Sequence, residues 1–168
     1  MDDDFNLDER ENEPEDTSAE LMRLARETVE AQSQPTDTAT TRARCQRVID
    51  LYTQGAIEGA EDFFHAGWVL LSGESQAHYS LARNFAHRAA QLGDARAWTL
   101  EAMAWDRFLI ASGQRQRFGT QIIKQGGRWS LGPVDPKVTD LDRAMYGVPP
   151  LYVQQQQAEQ LQRQEERE

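Results

Sequence analysis

Leu21, Leu24, Ala25, Thr28 and Val29 recur three and four residues apart, so one face of the segment that starts at Thr17 is apolar and the segment reads as a helix. Thr17-Ser18-Ala19-Glu20 has the form of a capping box, and Pro35 breaks the pattern. A second helix is expected from near Asp37 to Gly55, with Cys45, Val48, Ile49 and Tyr52 on its inner face. In the third, Ala60, Phe63, Phe64, Gly67, Leu70 and Leu71 form the stripe, which ends at Gly73. Ser75 then caps a fourth whose Leu81, Ala82, Phe85, Ala86, Ala89 and Leu92 run to Gly93. Asp94 opens a fifth, with Ala97, Trp98, Ala104, Trp105 and Phe108 directed inward. Such helices, joined by turns of two or three residues, pack as antiparallel neighbours.

After Gly113 the period changes. Gln116, Phe118, Thr120 and Ile122 alternate with Arg115, Arg117, Gly119 and Gln121, and a Gln125-Gly126-Gly127 turn leads into Arg128-Trp129-Ser130-Leu131. The expectation is a β-hairpin at about 115–132 whose apolar face (Phe118, Ile122, Trp129, Leu131) docks on the helices, because an isolated hairpin is marginal. Thr139 caps a short helix from Asp140 to Tyr146, stopped by Gly147 and Pro149-Pro150. The polar, Gln/Glu-rich tail over 153–168 has little apolar periodicity and reads as a fraying, solvated helix. The fold class is therefore mainly α: about five helices in antiparallel hairpins, capped by a β-hairpin and a short carboxy-terminal helix, in one domain over 17–152.

With 168 residues, 39% of them hydrophobic, the chain has material for one modest core and not two. Its net charge of −10 is concentrated at the ends: residues 1–16 carry −8, residues 156–168 carry −2, and the 139 residues between are neutral. Residues 1–16 are too polar to offset the entropy of ordering them and are expected to form a disordered acidic tail. That tail could fold back over the basic hairpin face of Arg115, Arg117 and Arg128. One cysteine, Cys45, excludes an internal disulfide and reads as a small core residue. The amino terminus lacks the basic-then-apolar form of a signal peptide, and no apolar run is long enough to span a bilayer, so a cytoplasmic location without membrane attachment is expected.

The most informative pair is Asp106-Arg107. Consecutive helical side chains diverge by about 100°, and the residues three and four positions away from each are all apolar: Ala102, Met103, Leu109 and Ile110 around Asp106, and Met103, Ala104, Ile110 and Ala111 around Arg107. Both charges must find partners elsewhere in the chain, or a ligand. In one reading they clamp the hairpin to the helices, with Asp106 receiving hairpin N–H groups or Arg143, and Arg107 binding carbonyls or Asp140. In the other they belong to a polar pocket in which Arg107, Gln116, Thr120, Gln121 and Arg143 bind a carboxylate, phosphate or peptide group. Gly119 suits either, since glycine permits close backbone approach.

The histidines do not form a metal site: His78 and His87 lie on opposite sides of one helix, and no Cys/His cluster exists. His78 reads as a hydrogen-bonded core residue and His87 as solvated; His65 has the only general-base case, with Asp106 the other acid/base candidate. No phosphate loop, dinucleotide fingerprint or nucleophile elbow is present, so no cofactor is expected. Three hairpin arginines without interleaved aromatics make a poor nucleic-acid surface.

The stretch FAHRAAQLGDARAWTLEAMAW resembles a tetratricopeptide-type helical hairpin, with Ala89, Ala90, Gly93, Ala97 and Leu100 at its small and core positions. Asp106-Arg107, the string Gln116-Arg117-Phe118-Gly119-Thr120-Gln121 and the ending VTDLDRAMYGVPPL together resemble an uncharacterised bacterial family that carries a DR pair, a Q-x-[FY]-G-T-Q string and a short Arg-bearing helix. The resemblance spans about 58–152 and implies a shared fold, with no chemistry attached. Members also carry a His-Ala-Asp-like string, where this chain has His65-Ala66-Gly67-Trp68. The expected function is a protein or peptide interaction module with a groove near the hairpin, using Trp98, Trp105, Arg107 and Gln121. The alternative is a small enzyme with a polar pocket around Asp106, Arg107 and Gln121.

Overall fold

The computed structural model describes residues 15–35 and 37–168. All but two residues of the expected acidic tail, Glu15 and Asp16, lie outside that range, and so does the idea that the tail covers the hairpin.

Among the described residues the chain is mainly helical: α1 (Thr17–Ala31), α2 (Thr38–Thr53), α3 (Gly59–Leu71), α4 (Gln76–Gln91), α5 (Ala97–Ala111), α6 (Asp140–Met145) and α7 (Leu151–Glu165), with strands β1 (Ile123–Gln125) and β2 (Arg128–Ser130) between α5 and α6. Helices begin where short polar side chains can serve the free N–H groups. Asp37 accepts from Ala39 and Thr40, Ser75 from His78, and Thr139 forms a full capping box with Asp142. The box expected at Thr17 does not form. Asp16 is the N-cap without a side-chain bond, and Glu20 turns instead to Arg47 on α2, with contacts of 2.6 and 2.9 Å. A charge-assisted pair between helices outcompetes a neutral local cap.

The core joins Leu21 and Leu24 of α1, Cys45, Val48 and Leu51 of α2, Ala66, Val69 and Leu70 of α3, Ala82, Phe85 and Ala86 of α4, and Leu100 and Ala104 of α5. Leu51 takes the inward place on α2 that was expected for Tyr52, which is exposed. Close approach of α3, α4 and α5 depends on Gly67. A Cβ there would stand 3.3 Å from the Ala82 carbonyl oxygen and from the Leu100 side chain. Ser18 and Met22 share a crevice with Gly59 and Asp62, while Thr28 and Ala31 share one with Ser72, so α1 and α3 run in the same direction. Alternate helices thus form one layer, in the manner of helical-hairpin repeats.

The hairpin is shorter than the alternation suggests. Only β1 and β2 pair, antiparallel, with Gln125 opposite Arg128 across Gly126-Gly127, both at positive φ as a type I′ turn requires. Residues 115–122 form no ladder with it; Gln116 makes an isolated parallel bridge to Val134. The polar stretch from 153 is helical as expected, but it is docked and not merely solvated. It forms α7, which packs on β2 and buries Gln154 and Ala158, and its Gln162 accepts the Trp129 backbone N–H at 2.9 Å. The hairpin therefore docks on α7, and Phe118 goes separately into a second small core with Ala102, Val138 and Val148.

Candidate functional site

Asp106 is fully buried on α5. Its Oδ1 accepts the backbone N–H groups of Arg117 at 2.7 Å and Phe118 at 3.0 Å; its Oδ2 accepts the Thr120 N–H at 2.9 Å and the Thr120 hydroxyl at 2.8 Å. Four donors fill the acceptor capacity of one carboxylate, and they explain why 115–122 makes no strand: its N–H groups point at a side chain. This geometry suits a clamp. A buried carboxylate with every lone pair engaged has no way to exchange protons with a substrate.

Arg143, only 2% exposed, grips the same turn from the other side. It donates to the Phe118 carbonyl at 2.9 Å, to the Val138 carbonyl and to Asp140, both at 3.1 Å. Gln154 adds a second donor to the Phe118 carbonyl at 3.2 Å. Gln116, 1% exposed, closes the loop on itself: its side-chain oxygen accepts the Gln121 N–H at 2.9 Å while its amide nitrogen donates to the Gln121 and Leu131 carbonyls. Gly119 sits at φ +76°, where a Cβ would stand 3.1 Å from Leu151. Asp106, the Gln116–Gln121 string and Arg143 thus meet in one polar knot.

Arg107 diverges from its neighbour as helical geometry demands. It donates to the Leu71 carbonyl at the end of α3 and, at 2.9 Å, to Gln121, whose amide reaches the Thr120 hydroxyl at 3.1 Å. Both of its partners are neutral, and burial pushes the guanidinium below its ordinary pKa without threatening its charge. Arg107, Thr120 and Gln121 are therefore brought together, but as a strap between α3, α5 and the turn. Asp140 pairs with Arg143 and not with Arg107.

The turn's outward face forms a cleft of about 740 Å³ at the end of α5, lined by Trp105, Leu109, Arg115, Arg117, Asp135 and Lys137, among others. Trp105 lies between two guanidinium groups, Arg83 at 3.5 Å and Arg117 at 4.9 Å from the ring centroid. Arg83 in turn approaches the buried Glu101, at 3.9 Å, which also faces His87 at 3.1 Å. The pairing of Arg117 with Trp105 escaped the sequence because it follows from the turn that Asp106 imposes. Glu101 gave a usable signal: it is the one charged residue from Ala97 to Trp105.

His65 lies elsewhere, in an apolar groove between α1 and α3 with Met22, Ala25, Phe64 and Trp68. Burial pushes its pKa down. His78, expected to be hydrogen-bonded, has a buried Nδ1 without a partner among the described residues, and His87 is exposed as expected, with Glu101 as its partner. No group of three or more His, Cys, Asp or Glu residues among those described could hold a metal ion, and no described helix is long and apolar enough to cross a membrane. Comparison with protein families, curated proteins and solved structures finds no match to this chain.

Proposed function

We propose that the protein is a peptide- or protein-binding module whose docking surface is the cleft at the end of α5, and that the partner segment is acidic. The observation that carries this reading is Trp105 flanked by Arg83 and Arg117 in a cleft that also holds Arg115 and Lys137. Tryptophan and arginine supply most of the energy at natural interfaces, because each covers a large area and also carries directional donors. Asp135 is the one carboxylate lining the cleft, and it accepts the Lys137 backbone N–H at 2.9 Å. Of the groove expected near the hairpin with Trp98, Trp105, Arg107 and Gln121, only Trp105 lines this cleft; Arg115 and Arg117 line it in place of Arg107 and Gln121, and no residue of β1 or β2 does. The resemblance to the bacterial family enters only as a claim about scaffold: the DR pair, the Gly-Thr-Gln string and the Arg-bearing helix together shape the cleft wall. We assign the protein to the cytoplasm, where a lone buried cysteine stays reduced.

The test is a fluorescence-anisotropy titration of the full chain with three labelled peptides, each carrying one Phe in an acidic, a neutral or a basic background. The acidic peptide is expected to bind, with an affinity that falls with salt and is lost in Arg117→Glu. Equal binding of the basic peptide, or binding unaffected by Arg117→Glu, would rule the reading out.

A further inference from the structure

A second, smaller crevice of about 190 Å³ lies on the far side of Arg107, where the carboxy-terminal end of α1, the start of α2 and Ser72 after α3 converge. Its walls include Thr28, Thr41, Ser72, Arg44 and Arg107, with Asp37 at the start of α2. The hydroxyls of Thr28 and Ser72 donate to the Leu24 and Val69 carbonyls, at 2.8 and 2.6 Å, so their protons face away from the space. Both arginines that line it have donors left unused. Arg107 uses Nε and one terminal nitrogen on a side-chain amide and a carbonyl, leaving its second terminal nitrogen without a partner among the described residues and no carboxylate to balance its charge. Arg44 has no ion pair among the described residues, and its Nε–H, shielded from water, donates to no partner there. Asp37, the one acid lining the crevice, already accepts two backbone N–H groups and the Thr40 hydroxyl.

Two guanidinium groups in one crevice, short of a counter-charge, leave an electrostatic cost that an oxygen anion would relieve. Guanidinium donors match the geometry of carboxylate and phosphate, and the space accommodates a group of that size. We infer that this crevice is a binding site for a small oxyanion, a carboxylate or phosphate group, held by Arg44 and Arg107. It is separate from the acidic-peptide cleft and does not depend on it.

The test is an NMR titration of the full chain, following the arginine Nε–H signals, with inorganic phosphate and separately with acetate, at constant ionic strength set with chloride. The Arg44 and Arg107 signals are expected to shift saturably with at least one of the two anions. Arg44→Gln, at a half-buried position without hydrogen bonds, should weaken that binding by about tenfold or more, as loss of a charge-assisted bond does. Arg88→Gln, which removes an exposed charge of α4 outside the crevice, should retain it to within a few-fold. Saturation with phosphate alone identifies a phosphate site, and with acetate alone a carboxylate site. Shifts that stay linear with both anions, or an Arg44→Gln variant that binds as tightly as the wild type, would overturn the inference.

Discussion

Asp106 and Arg143 hold Phe118 by its two backbone groups and form no ion pair with each other: the Phe118 N–H donates to Asp106 at 3.0 Å, and its carbonyl accepts from Arg143 at 2.9 Å. Two buried opposite charges are thus connected through the main chain of one residue. The arrangement spreads each charge over oriented peptide dipoles, which stabilises an ion in a low-dielectric interior better than isolation would.

Removal of either grip should therefore be costly. Asp106→Ala strands three backbone N–H groups, and Arg143→Met strands the Val138 carbonyl and leaves the Phe118 carbonyl to Gln154 alone; each is expected to lower unfolding free energy by about 3 kcal/mol, in the range for broken buried networks. Because both act on one turn, the double variant should lose less than the sum, by about 0.5–3 kcal/mol. Chemical denaturation of the four proteins measures this, and strict additivity would contradict the shared grip.

Gly119 separates backbone strain from packing. Gly113→Ala, at φ +70° with open space around it, should cost about 1 kcal/mol, the ordinary penalty for a side chain in the left-handed region. Gly119→Ala adds a contact with Leu151 at 3.1 Å and should cost about 1–2 kcal/mol more. If both variants melt together, α7 does not press on the turn.

How much of this was legible follows from where each residue finds its partners. The local offsets around Asp106 and Arg107 are entirely apolar, which already required distant partners, and the turn's N–H groups and the Leu71 carbonyl were found there. Ser75, Thr139 and Gly126-Gly127 acted as read because caps and tight turns are decided within four residues. The hairpin's length was misread because residues 115–122 alternate for a different reason: main-chain donors there serve a carboxylate and not a neighbouring strand. The helix of α7 was read but its packing was missed, because its buried stripe is only Gln154 and Ala158, and a glutamine gives no apolar period even when its amide answers the Phe118 carbonyl.

That reading of α7 predicts that the carboxy-terminal helix belongs to the folded unit. Ala158→Asp places a charge where 4% of the residue is exposed, and should cost about 2 kcal/mol or more while speeding hydrogen exchange at Trp129. An exchange rate unchanged at Trp129 would mean that α7 does not hold the hairpin.

His65 gives a pH dependence of known sign. Burial holds its folded pKa below the ordinary 6.5, so below that pH the unfolded chain binds a proton that the folded chain resists. Stability should fall as pH drops from 6.5 toward the folded pKa, and His65→Gln should remove that part of the slope. Identical pH profiles for wild type and variant between pH 7 and 5 would show that His65 is not in the groove between α1 and α3.

The central claim is that the clamp around Asp106 presents Trp105 and Arg117 to an acidic partner segment. The most direct measurement is an indole N–H chemical-shift titration of the full chain with the acidic peptide, since Trp68 on α3, Trp105 on α5 and Trp129 on β2 lie in different parts of the fold. The account predicts a saturable shift at Trp105, with Trp68 and Trp129 unmoved. A shift centred on Trp68, or none at Trp105 at saturating peptide, would contradict it.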